Sequence, residues 1–305
     1  MYSNDKTWSK VQSFLPPENR LLSENLPDER FIRVGKSSIH IDYYRAASPK
    51  ATIIIFHGVG GNGRLLSFIA VPLSRMGYEI ICPDLPLYGY TDYKGTISYQ
   101  IWVDCGVDIA KQFQKPEVPL FIFGLSAGGM LAYQVACELD SINGVMATCL
   151  LDQRNSIITK RTASNPFVAI VGKPFLKLLH KPFSSVKLPM KTVCNMRVIV
   201  NSKELAELLM ADKKSSGAKV SVEFLFSMLN PVIKIEACKF DKCPVLLVHP
   251  QNDRWTDVSL SQLFFNELRC KKELKMLVGA GHFPIEPEGL KQLERCCEDF
   301  IRKFS

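Results

Sequence analysis

The chain has 305 residues, 47% of them hydrophobic, and a formal net charge of +8. That is enough for one sizeable core plus an insertion. No run of about twenty apolar residues occurs, which excludes a membrane-spanning helix, and the polar start Met1-Tyr2-Ser3-Asn4-Asp5-Lys6 does not read as a secretory signal.

Residues 1–30 read as a polar leader containing Pro16-Pro17 and Pro27, with Trp8, Val11, Phe14, Leu15, Leu21 and Leu22 available to dock on a domain surface. Phe31–Val34 and Ile39–Tyr44 alternate as a β-hairpin. Strands and helices then follow in turn. Ile53–Phe56 is a strand, Leu65–Met76 a helix ended by Gly77, and Tyr78–Cys82 a strand. Ser98–Phe113 is a helix, Leu120–Phe123 a strand, Met130–Leu139 a helix and Asn143–Leu151 a strand. Such alternation predicts a parallel sheet covered by helices on both faces, with ligands at the carboxyl ends of the strands.

The next matching strand, Cys243–Pro250, begins some ninety residues later, too far for a loop in a compact domain. The spacing predicts an inserted, largely helical subdomain over residues 152–240. Phe167–His180 is broken or kinked at Pro174, and Ser202–Met210 and Val220–Met228 are helical. Residues 31–151 and 241–305 then form the core. Residues 151–240 hold 15 Lys and Arg against 6 Asp and Glu, a net +9, which leaves the remainder at −1. A basic insertion mixing lysines with large apolar residues suits a peripheral contact with anionic membrane, or an apolar channel for an acyl chain. Nucleic acid is not an expected partner, because the basic residues are not interleaved with stacking aromatics.

Ten cysteines are present without a Cys-x-x-Cys pair or zinc-site spacing. Cys82, Cys105, Cys137 and Cys149 sit in apolar stretches, as small hydrophobes do, and a reducing cytosol is the expected location. No phosphate-cradling or dinucleotide loop occurs, so neither a metal nor a cofactor is expected.

Three strand ends carry chemistry. The strand at Leu120–Phe123 runs into Gly124-Leu125-Ser126-Ala127-Gly128, a Gly-x-Ser-x-Gly turn that holds a serine hydroxyl up at the end of a strand. Cys243–Pro250 ends at Gln251-Asn252-Asp253. Leu274–Val278 ends at Gly279-Ala280-Gly281-His282-Phe283. A fourth strand, Ile53–Phe56, ends in His57-Gly58-Val59-Gly60-Gly61.

Over residues 30–305 this pattern resembles the α/β-hydrolase superfamily, with a mostly parallel eight-stranded sheet and a helical cap inserted after strand 6. The resemblance implies Ser126 as nucleophile, His282 as base and Asp253 as the acid. It implies the amides of Val59 and Ala127 as oxyanion donors, with Gly58, Gly124 and Gly128 supporting the turns. Asp257 and Asp152 compete with Asp253 for the acid, Asp257 also reading as a helix cap. Asp84 reads as a turn or packing residue, His57 and His249 as structural, and His40 and His180 as ordinary surface or partly buried residues.

A serine nucleophile disfavours the branches that use a carboxylate. The cap and the Gly-Ala-Gly-His-Phe run are similar to monoacylglycerol lipases, lysophospholipases and esterases, and more weakly to α/β-hydrolase acyl-homoserine-lactone hydrolases. The expected substrate is therefore a small acyl ester or lactone. Carbon–carbon hydrolysis beside a ketone, and a non-catalytic receptor on the same fold, are the other readings.

Overall fold

The computed structural model describes the backbone of residues 1–305, and every side chain except those of Pro166, Ala169, Ile170 and Val171. In chain order the strands are β1 (Asp28–Val34), β2 (Ser37–Tyr44), β3 (Thr52–Phe56), β4 (Glu79–Pro83), β5 (Leu120–Gly124), β6 (Gly144–Ala147), β7 (Lys187–Pro189), β8 (Lys219–Ser221), β9 (Val245–Pro250) and β10 (Lys272–Leu277). The α-helices are α1 (Lys6–Gln12), α2 (Ser67–Arg75), α3 (Tyr99–Phe113), α4 (Ala127–Glu138), α5 (Ser156–Thr162), α6 (Pro166–Leu179), α7 (Met190–Val193), α8 (Lys203–Ala211), α9 (Val222–Leu229), α10 (Val258–Phe265) and α11 (Pro287–Phe304).

Eight strands form one sheet in the order β1-β2-β4-β3-β5-β6-β9-β10. β1–β2 and β2–β4 pair antiparallel, and every later pair is parallel. This is the α/β-hydrolase architecture. The central strands are buried at every position and largely apolar, because both faces of the sheet are covered. Ile54, Phe56, Leu120 and Ile122 face one core layer, shared with α3, α4 and α10. Ile53, Ile55, Phe121 and Phe123 face the other, shared with α2 and α11. The period-two alternation of a strand sends neighbouring residues to opposite layers.

Residues between β6 and β9 contribute nothing to this sheet. They form helices α5 to α9 and a separate two-stranded ribbon, β7–β8. The ribbon was not foreseen in the sequence. Val220 belongs to it, and α9 starts only at Val222, capped by the Ser221 hydroxyl, which accepts from the Phe224 amide at 3.1 Å. α6 continues through Pro174 as one helix rather than two.

β6 is also shorter than expected, ending at Ala147 rather than Leu151. Its partner β5 stops at Gly124, the residue paired with Ala147. Thr148 follows, its amide still bonded to the Gly124 carbonyl at 3.1 Å, and its side chain serves the site described below.

The leader docks on the core. Trp8, Val11, Leu15 and Leu21 are buried in the second layer, whereas Leu22, expected to dock with them, is 46% exposed. Asp5 caps α1, accepting from the amides of Thr7 and Trp8. Its other oxygen meets Lys214 Nζ at 2.9 Å, tying the leader to the segment after α8.

His40 corrects another expectation. It is fully buried, 2.9 Å from Asp84, although the two are not aligned as a hydrogen bond. The rings of Tyr2, Phe31 and Tyr90 enclose it, and the leader that brings Tyr2 there lies far away in sequence.

Candidate active site

Ser126 lies between β5 and α4 with φ 55° and ψ −125°, a strained conformation for a residue with a side chain. The turn closes because its neighbours lack side chains. A Cβ on Gly124 would fall 2.0 Å from the Gly128 carbonyl oxygen, and one on Gly128 would fall 2.4 Å from that of Phe56. A Cβ on Gly58 would reach 2.9 Å from the Ser126 Cβ, so the loop after β3 lies directly against the serine turn. The Ser126 amide donates to the Thr148 hydroxyl at 2.9 Å, so the residue that follows β6 braces the serine turn.

Three side chains distant in sequence meet at this rim. His282 Nε2 is 2.8 Å from Ser126 Oγ, and His282 Nδ1 is 2.8 Å from Asp253 Oδ2. His282 is carried by the loop after β10 and Asp253 by the loop after β9. Asp253 Oδ1 accepts from the amides of Trp255 at 2.8 Å and Thr256 at 2.9 Å, and Oδ2 also accepts from the Thr256 hydroxyl at 2.7 Å. Burial would raise the Asp253 carboxyl. The His282 charge and hydrogen bond, with the Thr256 donors, outweigh burial and bring it down to about 2. The carboxylate therefore stays ionised through the physiological range, oriented by a donor on nearly every side.

The rival carboxylates are occupied elsewhere. Asp257 caps α10, accepting from the Ser259 amide at 2.9 Å. Asp152 is held by the Arg154 guanidinium at 2.8 Å.

Val59 and Ala127 border the same cleft as Ser126. Among the described residues neither amide has an acceptor, so two N–H groups beside the hydroxyl remain available. His57 braces their loop. Its Nε2 accepts from the Leu85 amide at 3.0 Å and its Nδ1 donates to the Gly58 carbonyl at 2.7 Å. Burial lowers the ring to about 4, against smaller upward pulls from the Gly58 bond and Asp84, so it is neutral at pH 7. His249 is buried beneath the site, with Nδ1 3.1 Å from the Thr148 carbonyl, and burial lowers it too.

Sequence reasoning missed Thr148, Trp255 and Thr256. Thr256 had a readable signal, since an Asp side chain at a turn accepts from backbone amides a few positions on. Thr148 had none, because its role depends on the pairing of β5 with β6.

The cleft runs from Ser126 beneath α6 and α9, walled by Met130, Leu176, Leu225, Met228 and Trp255. A smaller recess opens on the other side of Ser126, toward Ile199, Leu209 and Phe283.

Residues 47–286 match the hydrolase family described as serine aminopeptidase, S33. The chain belongs to that family. The chain is 26% identical to the monoglyceride lipase of Mus musculus over 245 residues, 78% of this chain and 77% of the mouse protein. It is equally 26% identical to the phospholipase YtpA of Bacillus subtilis over 236 residues, 73% of this chain and 83% of that one. A crystal structure of a soluble variant of Saccharomyces cerevisiae monoglyceride lipase with a substrate analogue superposes with TM-score 0.74 at 18% identity, covering 95% of this chain and 99% of that one. The N-acyl homoserine lactonase AidH superposes at 0.62 with 12% identity, covering 92% and 98%, a likeness of fold. No helix of this family member is long and apolar enough to cross a membrane among the described residues.

Proposed function

We propose that the protein hydrolyses carboxylic esters bearing an acyl chain, in the manner of a monoacylglycerol lipase, with Ser126, His282 and Asp253 as its catalytic triad. The observation that carries this reading is the unbroken hydrogen-bonded line from Ser126 Oγ through the His282 ring to Asp253 at the mouth of an apolar cleft.

His282 takes the Ser126 proton at Nε2 as the hydroxyl attacks the ester carbonyl. Ionised Asp253 holds the Nδ1 proton and stabilises the imidazolium that forms. The Val59 and Ala127 amides receive the charge that develops on the carbonyl oxygen. The alcohol leaves with the proton from His282, and water repeats the sequence on the acyl-enzyme.

The family description names an aminopeptidase, but an aminopeptidase must recognise a charged amino terminus close to its nucleophile. The cleft walls nearest Ser126 are apolar, and Asp152 is already engaged by Arg154. Both features favour an acyl ester. The 26% identity to a monoglyceride lipase supports the same class.

The outer face of α6 supports membrane docking by the proposed cap, residues 152–240. Leu176 points into the cleft, while Phe167, Phe175 and Leu178 on the other side are 71%, 58% and 73% exposed. Phe183 and Val186 extend this surface, and Lys177, Lys181 and Lys187 border it. An apolar stripe edged by lysines matches the boundary of an anionic bilayer. Vesicles containing phosphatidylserine should sediment the protein, and Phe175→Ser with Leu178→Ser should abolish this without impairing hydrolysis of a water-soluble ester.

A fluorophosphonate probe should label the wild type and leave Ser126→Ala unlabelled. Ser126→Ala should also lose about a million-fold in turnover. Monoacylglycerols, lysophospholipids, graded nitrophenyl esters and acyl-homoserine lactones, assayed side by side, would identify the leaving group. Labelling that survives in Ser126→Ala would end the proposal.

A further inference from the structure

The wall of the cleft is not apolar throughout. Gln134 borders it, is only 3% exposed, and its Nε2 has no hydrogen-bond partner among the described residues. Tyr99 borders it too, at 4% exposure, and its hydroxyl makes no hydrogen bond to a described residue, although its backbone amide donates to Ser227 Oγ. A buried amide without a partner is costly, and native proteins rarely keep one unless something outside the chain completes it.

The position of Gln134 is informative. Ala127, Met130 and Gln134 are spaced along α4 so that they share one helix face, and all three border the cleft. Ala127 adjoins the serine. Gln134 is eight residues beyond Ser126, about 12 Å along the helix axis at 1.5 Å per residue. An acyl chain attached to Ser126 and laid along this face passes Met130 first and Gln134 after it.

The charged groups on the same walls are already engaged. Lys173 Nζ donates to the Gln153 carbonyl at 2.6 Å, and Asp152 is bound by Arg154. What remains buried and unpartnered on these walls is a pair of neutral polar groups, an amide and a phenol. They suit an uncharged oxygen better than a carboxylate or phosphate.

We propose that Gln134 and Tyr99 form a mid-chain subsite that selects acyl groups carrying a hydroxyl or oxo oxygen part-way along the chain. This deepens the ester-hydrolase reading and rests on it. The oxygen accepts from Gln134 Nε2, and a hydroxyl can also donate to the Gln134 carbonyl or to Tyr99. The plain chain leaves the Gln134 amide buried and unpaired, so discrimination comes as much from the penalty on the wrong substrate as from the gain on the right one.

Two measurements test this. The first compares kcat/KM for nitrophenyl palmitate with nitrophenyl hydroxypalmitates in which the hydroxyl is moved stepwise along the chain. Wild type should prefer one interior position by about tenfold or more. Gln134→Leu should bring that ratio close to unity, and Tyr99→Phe should lower it in part while removing only one oxygen. The second measures binding of palmitic acid and the same hydroxypalmitic acids to Ser126→Ala by calorimetry, which needs no turnover. The same interior position should bind more tightly, and Gln134→Leu in that background should abolish the difference.

Equal treatment of all positions by wild type, or a preference that survives both Gln134→Leu and Tyr99→Phe, would overturn the subsite. A binding preference that persists in a protein unable to cleave any ester would uphold the subsite and defeat the hydrolase reading. Cleavage without positional preference would do the reverse.

Discussion

Two carboxylate–histidine pairs occur in this molecule at almost the same separation. Asp253 and His282 are 2.8 Å apart, and Asp84 and His40 are 2.9 Å apart. At the rim, the far nitrogen of the His282 ring meets the Ser126 hydroxyl and a cleft. On β2, the His40 ring is sealed by aromatic rings and has no aligned partner. The Asp84 oxygens there accept from the Gly63 amide at 2.7 Å, the Tyr90 amide at 2.8 Å and the Tyr2 hydroxyl at 3.1 Å. The pair is thus a common building block. What the far side of the imidazole touches decides whether the block can move a proton or only pin loops together.

The sharpest way to break this contrast is to remove one charge from each pair. Asp253→Asn should lower kcat about 10⁴-fold per folded molecule, far beyond any loss of stability. Asp84→Asn should do the opposite, costing about 1–3 kcal/mol of stability through a buried donor left unmatched. Its kcat per folded molecule should stay within about tenfold of wild type, a barrier change of about 1.4 kcal/mol. Denaturant titration alongside steady-state kinetics reads both. Equal losses of turnover in the two variants would dissolve the distinction.

A smaller effect separates the regions by pH. Burial holds His57 neutral, at about 4 against an ordinary 6.5, so the stability it contributes is complete above pH 6.5 and is lost as pH falls toward 4. The full contribution is about 3 kcal/mol. Asp253, lowered from 3.8 to about 2, loses its contribution only between those values. Urea midpoints should therefore decline from pH 6.5 to 4, and His57→Gln, which keeps an acceptor for the Leu85 amide, should flatten that decline. An unchanged slope in the variant would remove His57 from the account.

The same contrast marks how far the sequence could be read. Strand ends bearing Gly-x-Ser-x-Gly, Asn-Asp and Gly-His were visible because each motif is local, and a parallel sheet sends such ends to one rim. The choice among Asp253, Asp257 and Asp152 was open in sequence, because it depends on which loop reaches His282. His40 was misjudged for a related reason. Its burial comes from Tyr2 and Tyr90, and no period in the β2 segment reveals that residues near position 2 fold over it. Gln134 shows the limit most clearly. On α4 it is a polar residue within a largely apolar run, and only the cleft makes its missing partner apparent.

The pairing of β6 directly with β9, Val145 against Val245, has a consequence for how such proteins diversify. Everything from residue 148 to residue 244 leaves the sheet from one lane and returns in the next. The segment behaves like a cassette whose two splice points are held in register by hydrogen bonds outside it. Grafting a relative's insertion between these points would change what the molecule accepts while the underlying engine keeps its alignment.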